Sequence, residues 1–460
     1  MPTIGNAPRQ DPWPWRLRAL LIFGFVISAV VGWASVSYFH RDPATVESLT
    51  PSAPVDGWCD APTQGLGVHC FGDFGFPRTL LGESDTWGIG HDGQAPNPYT
   101  ALGMVPHLVT KVLADTDLGV RGSLLIYLLV LAAALLAPAL WVIMGTARTW
   151  RTRDWLPLLL VGVASGPFLM TMDRGNSIGF AVPFLLLFCL FLRDEPEWVA
   201  PAAVIAAASI RPQFVLLVLG LVAVRRWRAA LYAAIGTVVL NTLAFAVWPG
   251  GLVGNVRGWL SNLNAFQSTI DVASDNPINI SAAHAVSSVG AWLSHGPGAI
   301  GSFGEGIQSF VHDHVAVPGL ILIAVVAIVA VVFRGRIAPA VIIVSVLALP
   351  ALAQGVAYGY GLIFALVLAA LILGQARPAI LRPGGHQSAA LFAGNDESGG
   401  MVAWKWTTLC VLALSLVPFI VSTDLASQSA VKEQLGLAWL IVVVFGLVVG
   451  VRYAKRGELT

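Results

Sequence analysis

The chain has 460 residues, of which 56% are hydrophobic and only 11% charged, with a formal net charge of +1. Soluble globular domains carry roughly 25% charged residues, so this composition excludes an ordinary soluble enzyme or binding domain. Apolar runs close to the roughly 20 residues of a membrane-crossing helix recur along the chain and predict an all-α, polytopic transmembrane helical bundle.

A Pro-containing tail over residues 1–15 leads into the first expected span, at 19–38. That span reads as a retained helix, because no small-residue cleavage pattern follows it. A large acidic loop covers 39–122. Spans are then expected at 123–146, 155–172, 177–193, 198–210, 213–225 and 229–248. The fifth and sixth of the series are short and read as half-length or broken helices meeting at Arg211-Pro212. A second long segment, 249–316, precedes spans at 317–333, 338–353 and 358–374. Residues 376–403 are rich in Gly, Ser, Ala and Pro and read as a flexible cytoplasmic loop. Spans at 404–421 and 436–452 bring the expected count to about twelve. This divides the chain into a core over 16–375 and a C-terminal unit over 404–460.

Charge sets the expected topology. With the N-terminus cytoplasmic, most of the 26 basic residues fall on inner segments, among them Arg225, Arg226, Arg228, Arg334 and Arg336. Cytoplasmic loops are the ones that collect Lys and Arg. Both termini are therefore expected inside a plasma membrane, and 39–122 and 249–316 outside it. Most acids and histidines then lie on the outer face. Cys189 and Cys410 sit in apolar runs and read as packing residues. Cys59 and Cys70 sit in the first loop; an oxidising compartment would permit a disulfide, but spacing alone leaves that open.

The first loop carries Trp58-Cys59-Asp60, then Gly72-Asp73-Phe74 and Asn97-Pro98-Tyr99. Most of its acids read as solvated charge. Asp73 stands apart because Phe71 and Phe74 flank it, a setting in which a carboxylate can act as a general base. Asp173-Arg174-Gly175-Asn176 joins two apolar spans through a short outer turn. An Asp-Arg pair there is either a capped turn with a local ion pair or a functional site. Ser209-Ile210-Arg211-Pro212 places a planar fork of donors, suited to a phosphate, at a helix break. Backbone freed by such a break has to line a cavity or contact protein. Asn279-Ile280-Ser281 and His284, in the second outer segment, are candidates for sugar hydroxyls or a phosphate, and the triplet also fits a glycosylation sequon. His312-Asp313-His314 is a weak metal-site signal. P-loop, GxSxG, HExxH and CxxC patterns are missing from the sequence.

Taken together these segments resemble the polyprenol-phosphate-sugar-dependent glycosyltransferases of the GT-C class, and within it glycosyltransferase family 87. Gly72-Asp73-Phe74 resembles the family's acidic-aromatic motif after the first helix, and Asn97-Pro98-Tyr99 its following Tyr-Pro element. Arg174-Gly175-Asn176 resembles its turn between membrane helices. Arg211-Pro212 with Arg225-Arg226-Trp227-Arg228 resembles its basic-Pro pair and basic patch, and Asn279-Ile280-Ser281 its later Asn-x-Ser element. Tyr99 is followed by Thr100-Ala101 where the family has prolines. The resemblance implies a membrane hexosyltransferase that moves a sugar, mannose by family likeness, from a polyprenyl-phosphate donor to a hydroxyl of a cell-envelope glycolipid or glycan. It implies Asp73 as catalytic base, and Arg211, with Arg174, Asn176, His284 and Tyr99, as substrate- or phosphate-binding residues. No nucleotide sugar takes part, so neither a metal nor another cofactor is implied. The expected partners are donor, acceptor and membrane lipid, with no nucleic acid. The alternatives are a transporter or flippase for a lipid-linked sugar, for which broken helices at midplane are typical, and a non-catalytic envelope scaffold.

Overall fold

The computed structural model describes residues 73–74, 77, 80–81, 86–88, 97–146, 162–163, 165–194, 196–269, 279–374, 399–416 and 425–456. Among these the secondary structure is helical, with no strand; one isolated antiparallel bridge pairs Asn279 with Tyr358. The expected span at 19–38, Cys59 and Cys70 lie outside the described residues, as does most of the segment 376–403.

The helices in chain order are α1 (Val105–Ala114), α2 (Gly119–Thr146), α3 (Gly166–Arg174), α4 (Val182–Phe191), α5 (Val199–Ile210), α6 (Val218–Ala223), α7 (Trp227–Val247) and α8 (Gly251–Thr269). They continue with α9 (Ala282–Ser294), α10 (Ala299–Asp313), α11 (Val317–Val332), α12 (Pro339–Leu352), α13 (Ile363–Gly374), α14 (Gly399–Leu416) and α15 (Leu425–Arg456). Tight 3-10 turns at Ser177–Ala181, Pro212–Leu217 and Gly359–Leu362 lead into α4, α6 and α13.

Four helices among the described residues are long and apolar enough to cross a membrane: Gly122–Met144 in α2, then α7, α14 and Leu435–Lys455 in α15. α10 and α11 make a fifth candidate only if taken together, and they meet at 86°. Several of the other expected spans are apolar helices of 10–17 residues. The segment 249–316 reads as a loop in sequence but folds largely as α8, α9 and α10. Its Asn, Ser and Gly residues lower the hydropathy below that of a span without breaking the helices.

α12 occupies the centre. Every residue from Ala340 to Leu352 is buried, and a helix apolar on all sides belongs in an interior. α13 packs beside it, with Ile363, Ala365, Val367 and Leu368 fully buried. The peripheral helices instead turn apolar residues outward, including Leu129 and Met144 of α2, Val238 and Val247 of α7, and Ile328 of α11. Apolar surface on this scale is what lipid covers.

The bundle has two chemically distinct ends. α4 starts just after the turn at Asn176 and ends where Arg226 Nη1 donates to the carbonyls of Phe191 (2.7 Å) and Leu192 (3.2 Å). Those carbonyls have no partner within the helix, and a cation there also complements the helix dipole. At the same end the Gly335 amide donates to Ala223 O at 2.7 Å, and Arg334 lies over the Trp227 ring at 5.6 Å. Arg225, Arg226 and Arg334 thus gather at one end of α4, α6 and α11. Asn176, Arg211 and the 3-10 turn at Gly359 gather at the other.

Candidate active site

α3 ends at Arg174 because Gly175 takes the left-handed conformation (φ 61°, ψ 33°) that stops a helix cleanly. The Gly175 amide donates to Met172 O (3.1 Å) and the Asn176 amide to Thr171 O (3.0 Å). The Gly175 carbonyl is held by the Tyr127 hydroxyl of α2 at 2.8 Å. This fixes Asn176, which caps the next turn by accepting from the Ile178 amide at 2.9 Å.

The fully buried Asn176 then reaches two charged partners at once. Its Nδ2 donates to Asp73 Oδ2 at 2.9 Å, and its Oδ1 accepts from Arg211 Nη2 at 2.9 Å. The amide can point only one way. Its oxygen faces two N–H groups, so its nitrogen faces the carboxylate. Arg174 Nε lies 3.9 Å from the same Asp73 oxygen; both side chains remain about three-tenths exposed (30% and 28%), so this long ion pair is solvent-screened.

Arg211 stands where α5 stops. Pro212 forbids the helical continuation, and Arg211 is extended at φ −142°, ψ 117°. Its guanidinium lies 4.1 Å over the ring of Tyr99, and its buried Nε makes no hydrogen bond. A buried donor left open beside a cation–π contact suits an anionic ligand.

Tyr99 is pinned from several sides. Asn97 Oδ1 accepts from the Tyr99 amide (3.0 Å), and Trp87 Nε1 donates to the Tyr99 carbonyl (2.9 Å). Trp259 Nε1 donates to Pro98 O at 3.2 Å, and Thr100 Oγ1 to Ser209 O at 3.1 Å. The last bond ties the segment to the end of α5, where Gly103 packs on the Ile210 carbonyl with no space for a side chain. The Tyr99 hydroxyl donates to the Asp73 carbonyl at 3.4 Å. Burial pushes this phenol up to about 12, with the Arg211 charge opposing.

Two contributors are not evident from the sequence. His107, fully buried on α1, sits among the rings of Tyr99 (5.5 Å), Tyr127 (5.7 Å) and Phe74 (6.3 Å). Neither of its ring nitrogens makes a full hydrogen bond. Burial, with Arg211 adding to it and the Phe74 backbone opposing, holds its imidazole down at about 3. Tyr360 enters from the turn at Gly359–Leu362, close enough to interact electrostatically with Asp73 and Arg211. Its ring pairs with Tyr358 at 5.6 Å. Gly359 lies against Met170 of α3, one turn before Arg174.

Asn279, Ser281 and His284 form the adjoining clasp. Asn279 Oδ1 accepts from the amides of Ser281 (3.0 Å) and Ala357 (3.1 Å), and Ser281 Oγ donates to Gly355 O at 2.9 Å. Ser281 Oγ also accepts from the His284 amide at 3.1 Å, capping α9. Asn279 is 1% exposed, so the triplet is a brace behind Tyr358 and Tyr360. Its Asn279 Oδ1 and Ser281 Oγ are taken up by backbone groups. Among the described residues no group of three His, Cys, Asp or Glu is placed to hold a metal ion.

A polytopic helical membrane protein that holds a carboxylate, an amide and a guanidinium together at one end of its bundle has the makings of a membrane transferase. A model of glycosyltransferase family 87 matches residues 108–353, just over half of the chain, and the chain belongs to this family. It is a membrane-embedded glycosyltransferase, which uses a sugar donor and an acceptor. The match includes Arg174, Asn176, Arg211 and His284, whereas Asp73, Tyr99 and Tyr360 lie outside it. Neither a curated protein nor a solved structure matches the chain.

Proposed function

We propose that the protein moves a sugar, mannose by family likeness, from a polyprenyl-phosphate donor to a hydroxyl of a cell-envelope glycolipid or glycan. Transfer would take place on the outer face of the plasma membrane, with both termini cytoplasmic and the spans near the expected twelve. One observation carries the reading: Asp73 and Arg211, from a loop and a helix break far apart in sequence, are held on the two ends of one buried amide, Asn176, at 2.9 Å each.

The chemistry follows from that pairing. The donor is a phosphodiester with one negative charge, and its lipid tail confines it to the bilayer. The acceptor oxygen forms a bond to the anomeric carbon while its proton passes to the Asp73 carboxylate. The bond from that carbon to the phosphate oxygen breaks, and the electron pair leaves with polyprenyl phosphate. The lipid phosphate thereby gains a second negative charge. Arg211, with its open Nε, takes up that charge as it develops, the kind of interaction that is stronger in the transition state than in the ground state. Arg174 is a partly exposed second cation. Attack opposite the phosphate inverts the anomeric centre, as in other single displacements.

Asp73→Asn keeps the shape and removes the base. In membranes supplied with radiolabelled polyprenyl-phosphate-mannose, transfer should fall by about 10²–10⁴-fold at unchanged protein level. Transfer at the wild-type rate would overturn the reading. Movement of the labelled lipid across the bilayer with no transfer would point to a carrier instead.

A further inference from the structure

α10 ends at Asp313 and the chain turns through 86° into α11. α11 then runs to the end of the bundle that holds Arg334. α10 therefore lies at the opposite end, the end of the Asp73–Asn176–Arg211 site, roughly perpendicular to α11. Three stripes run along it at helical spacing. Gly301, Gly304 and Val311 are buried. The two glycines face the α9 end of the hairpin, where a Cβ on Gly304 would strike the Ser294 backbone. Ile300, Phe303, Ile307 and Phe310 recur on a second stripe, and Ile300, Phe303 and Phe310 are 52%, 65% and 47% exposed. Ser302, Glu305, Ser309 and His312 make the third stripe and are also exposed. The helix is thus divided lengthwise into a packed face, an open apolar face and an open polar face.

A helix crossing the hydrocarbon as half of a broken span would put the exposed Glu305 in lipid at several kcal/mol. A helix lying along the water–lipid boundary satisfies both open faces together. The neighbouring residue Trp292, on α9 and 76% exposed, adds an aromatic group of the kind that gathers at that boundary. The open apolar stripe holds no Asp, Glu, Lys or Arg, and His314 stacks on Phe310 at its C-terminal end (5.0 Å), so the stripe is matched to acyl chains and not to an acidic or basic partner.

We propose that the α9–α10 hairpin is a membrane-seated element, in which α10 lies in the plane of the interface with Ile300, Phe303 and Phe310 against lipid acyl chains and Glu305 on the water side. This does not depend on what the neighbouring site transfers. The clasp at Asn279 and Ser281 roots the hairpin against the strip that carries Tyr358 and Tyr360, so its seating fixes the height of the site relative to the lipid.

The test is nitroxide scanning of the full chain in liposomes, with its four cysteines replaced and single labels introduced by Phe303→Cys, Phe310→Cys, Glu305→Cys and His312→Cys. Labels at 303 and 310 should favour oxygen over a water-soluble nickel complex several-fold more than labels at 305 and 312. Four labels equally open to nickel would overturn the proposal, as would four labels equally deep, the pattern of a re-entrant helix. An immobilised, oxygen-shielded label at 303 would also overturn it, since another part of the chain or a second copy would then cover the stripe. If the cysteine-replaced protein does not fold, the native background serves. The emission lost in Trp292→Phe should be quenched by lipid brominated near the glycerol end of its acyl chain. Quenching of that component by aqueous iodide but not by brominated lipid would refute the proposal.

Discussion

Asn176 is the residue on which the site turns, because it makes a neutral link between groups of opposite charge. Removing it by Asn176→Ala deletes two hydrogen bonds to charged partners, worth roughly 1.5–3 kcal/mol each. Losing even one in the transition state lowers turnover by about 10- to 100-fold. Asn176→Asp is more telling. It sets a second carboxylate within hydrogen-bonding distance of Asp73, and like charges that close share a proton, which raises the higher of the pair's two apparent pKa values. The acid limb of the pH–rate profile should therefore move to higher pH in Asn176→Asp while Arg211 keeps an acceptor. An unmoved limb in an active variant would mean that Asp73 is not the titrating base. His107 gives a stability prediction of a different kind. Its imidazole is held at about 3 in the folded protein, against about 6.5 in an unfolded chain. Between those values the unfolded state binds the extra proton, so stability is lost as pH falls below about 6.5, amounting to about 2 kcal/mol at pH 5. The thermal midpoint of the wild type should drop on acidification from pH 7.5 to 5, and His107→Phe should drop less. Parallel slopes would show that His107 can be protonated in place.

Among the elements, those legible in sequence were those whose chemistry is local. Pro212 announces the end of α5 and Gly175 the end of α3, and both breaks hold a cation at its mouth, Arg211 and Arg174. The pairing of Asp73 with those breaks is not local. It depends on a loop folding back across more than a hundred residues, and only the family resemblance hinted at it. Asn279-Ile280-Ser281 shows the opposite failure. Polar residues in an outer segment read as ligands, yet their side chains are consumed by backbone amides and a carbonyl of the strip at 355–357. A helix start and a distant loop share one Asn, and nothing in either segment alone reports it. Tyr358 and Tyr360 were hidden for the same reason. The clasp can be measured. Asn279→Ala strands the amides of Ser281 and Ala357 in a buried place, each at about 1–3 kcal/mol. The variant should melt earlier than wild type and, with Tyr360 no longer braced, show a raised KM for the sugar donor. Wild-type melting would mean that the strip is held by other contacts.

At the scale of the molecule the charge pattern and the architecture agree on one axis. The basic residues that composition assigns to the cytoplasm, Arg225, Arg226 and Arg334, converge at one end, and the candidate site forms at the other. The helices between are short. The 3-10 turn and α4 together rise about 25 Å from Asn176 to Phe191, and α5 rises about 18 Å, at 2.0 and 1.5 Å per residue. A bilayer's hydrocarbon core is about 30 Å thick. With the basic end at the cytoplasmic boundary, Asn176 and Arg211 then lie roughly 5–12 Å beneath the outer boundary of a core that thick. Helices of this length support a sunken site without crossing the whole core. Its sidedness follows and can be checked in intact cells with single cysteines introduced as Glu197→Cys, beside the basic end, and Glu305→Cys, on the polar face of α10. A membrane-impermeant maleimide should label position 305 from outside and reach position 197 only after permeabilisation. The reverse pattern would put Asp73 and Arg211 on the cytoplasmic face, and with them the donor's sugar.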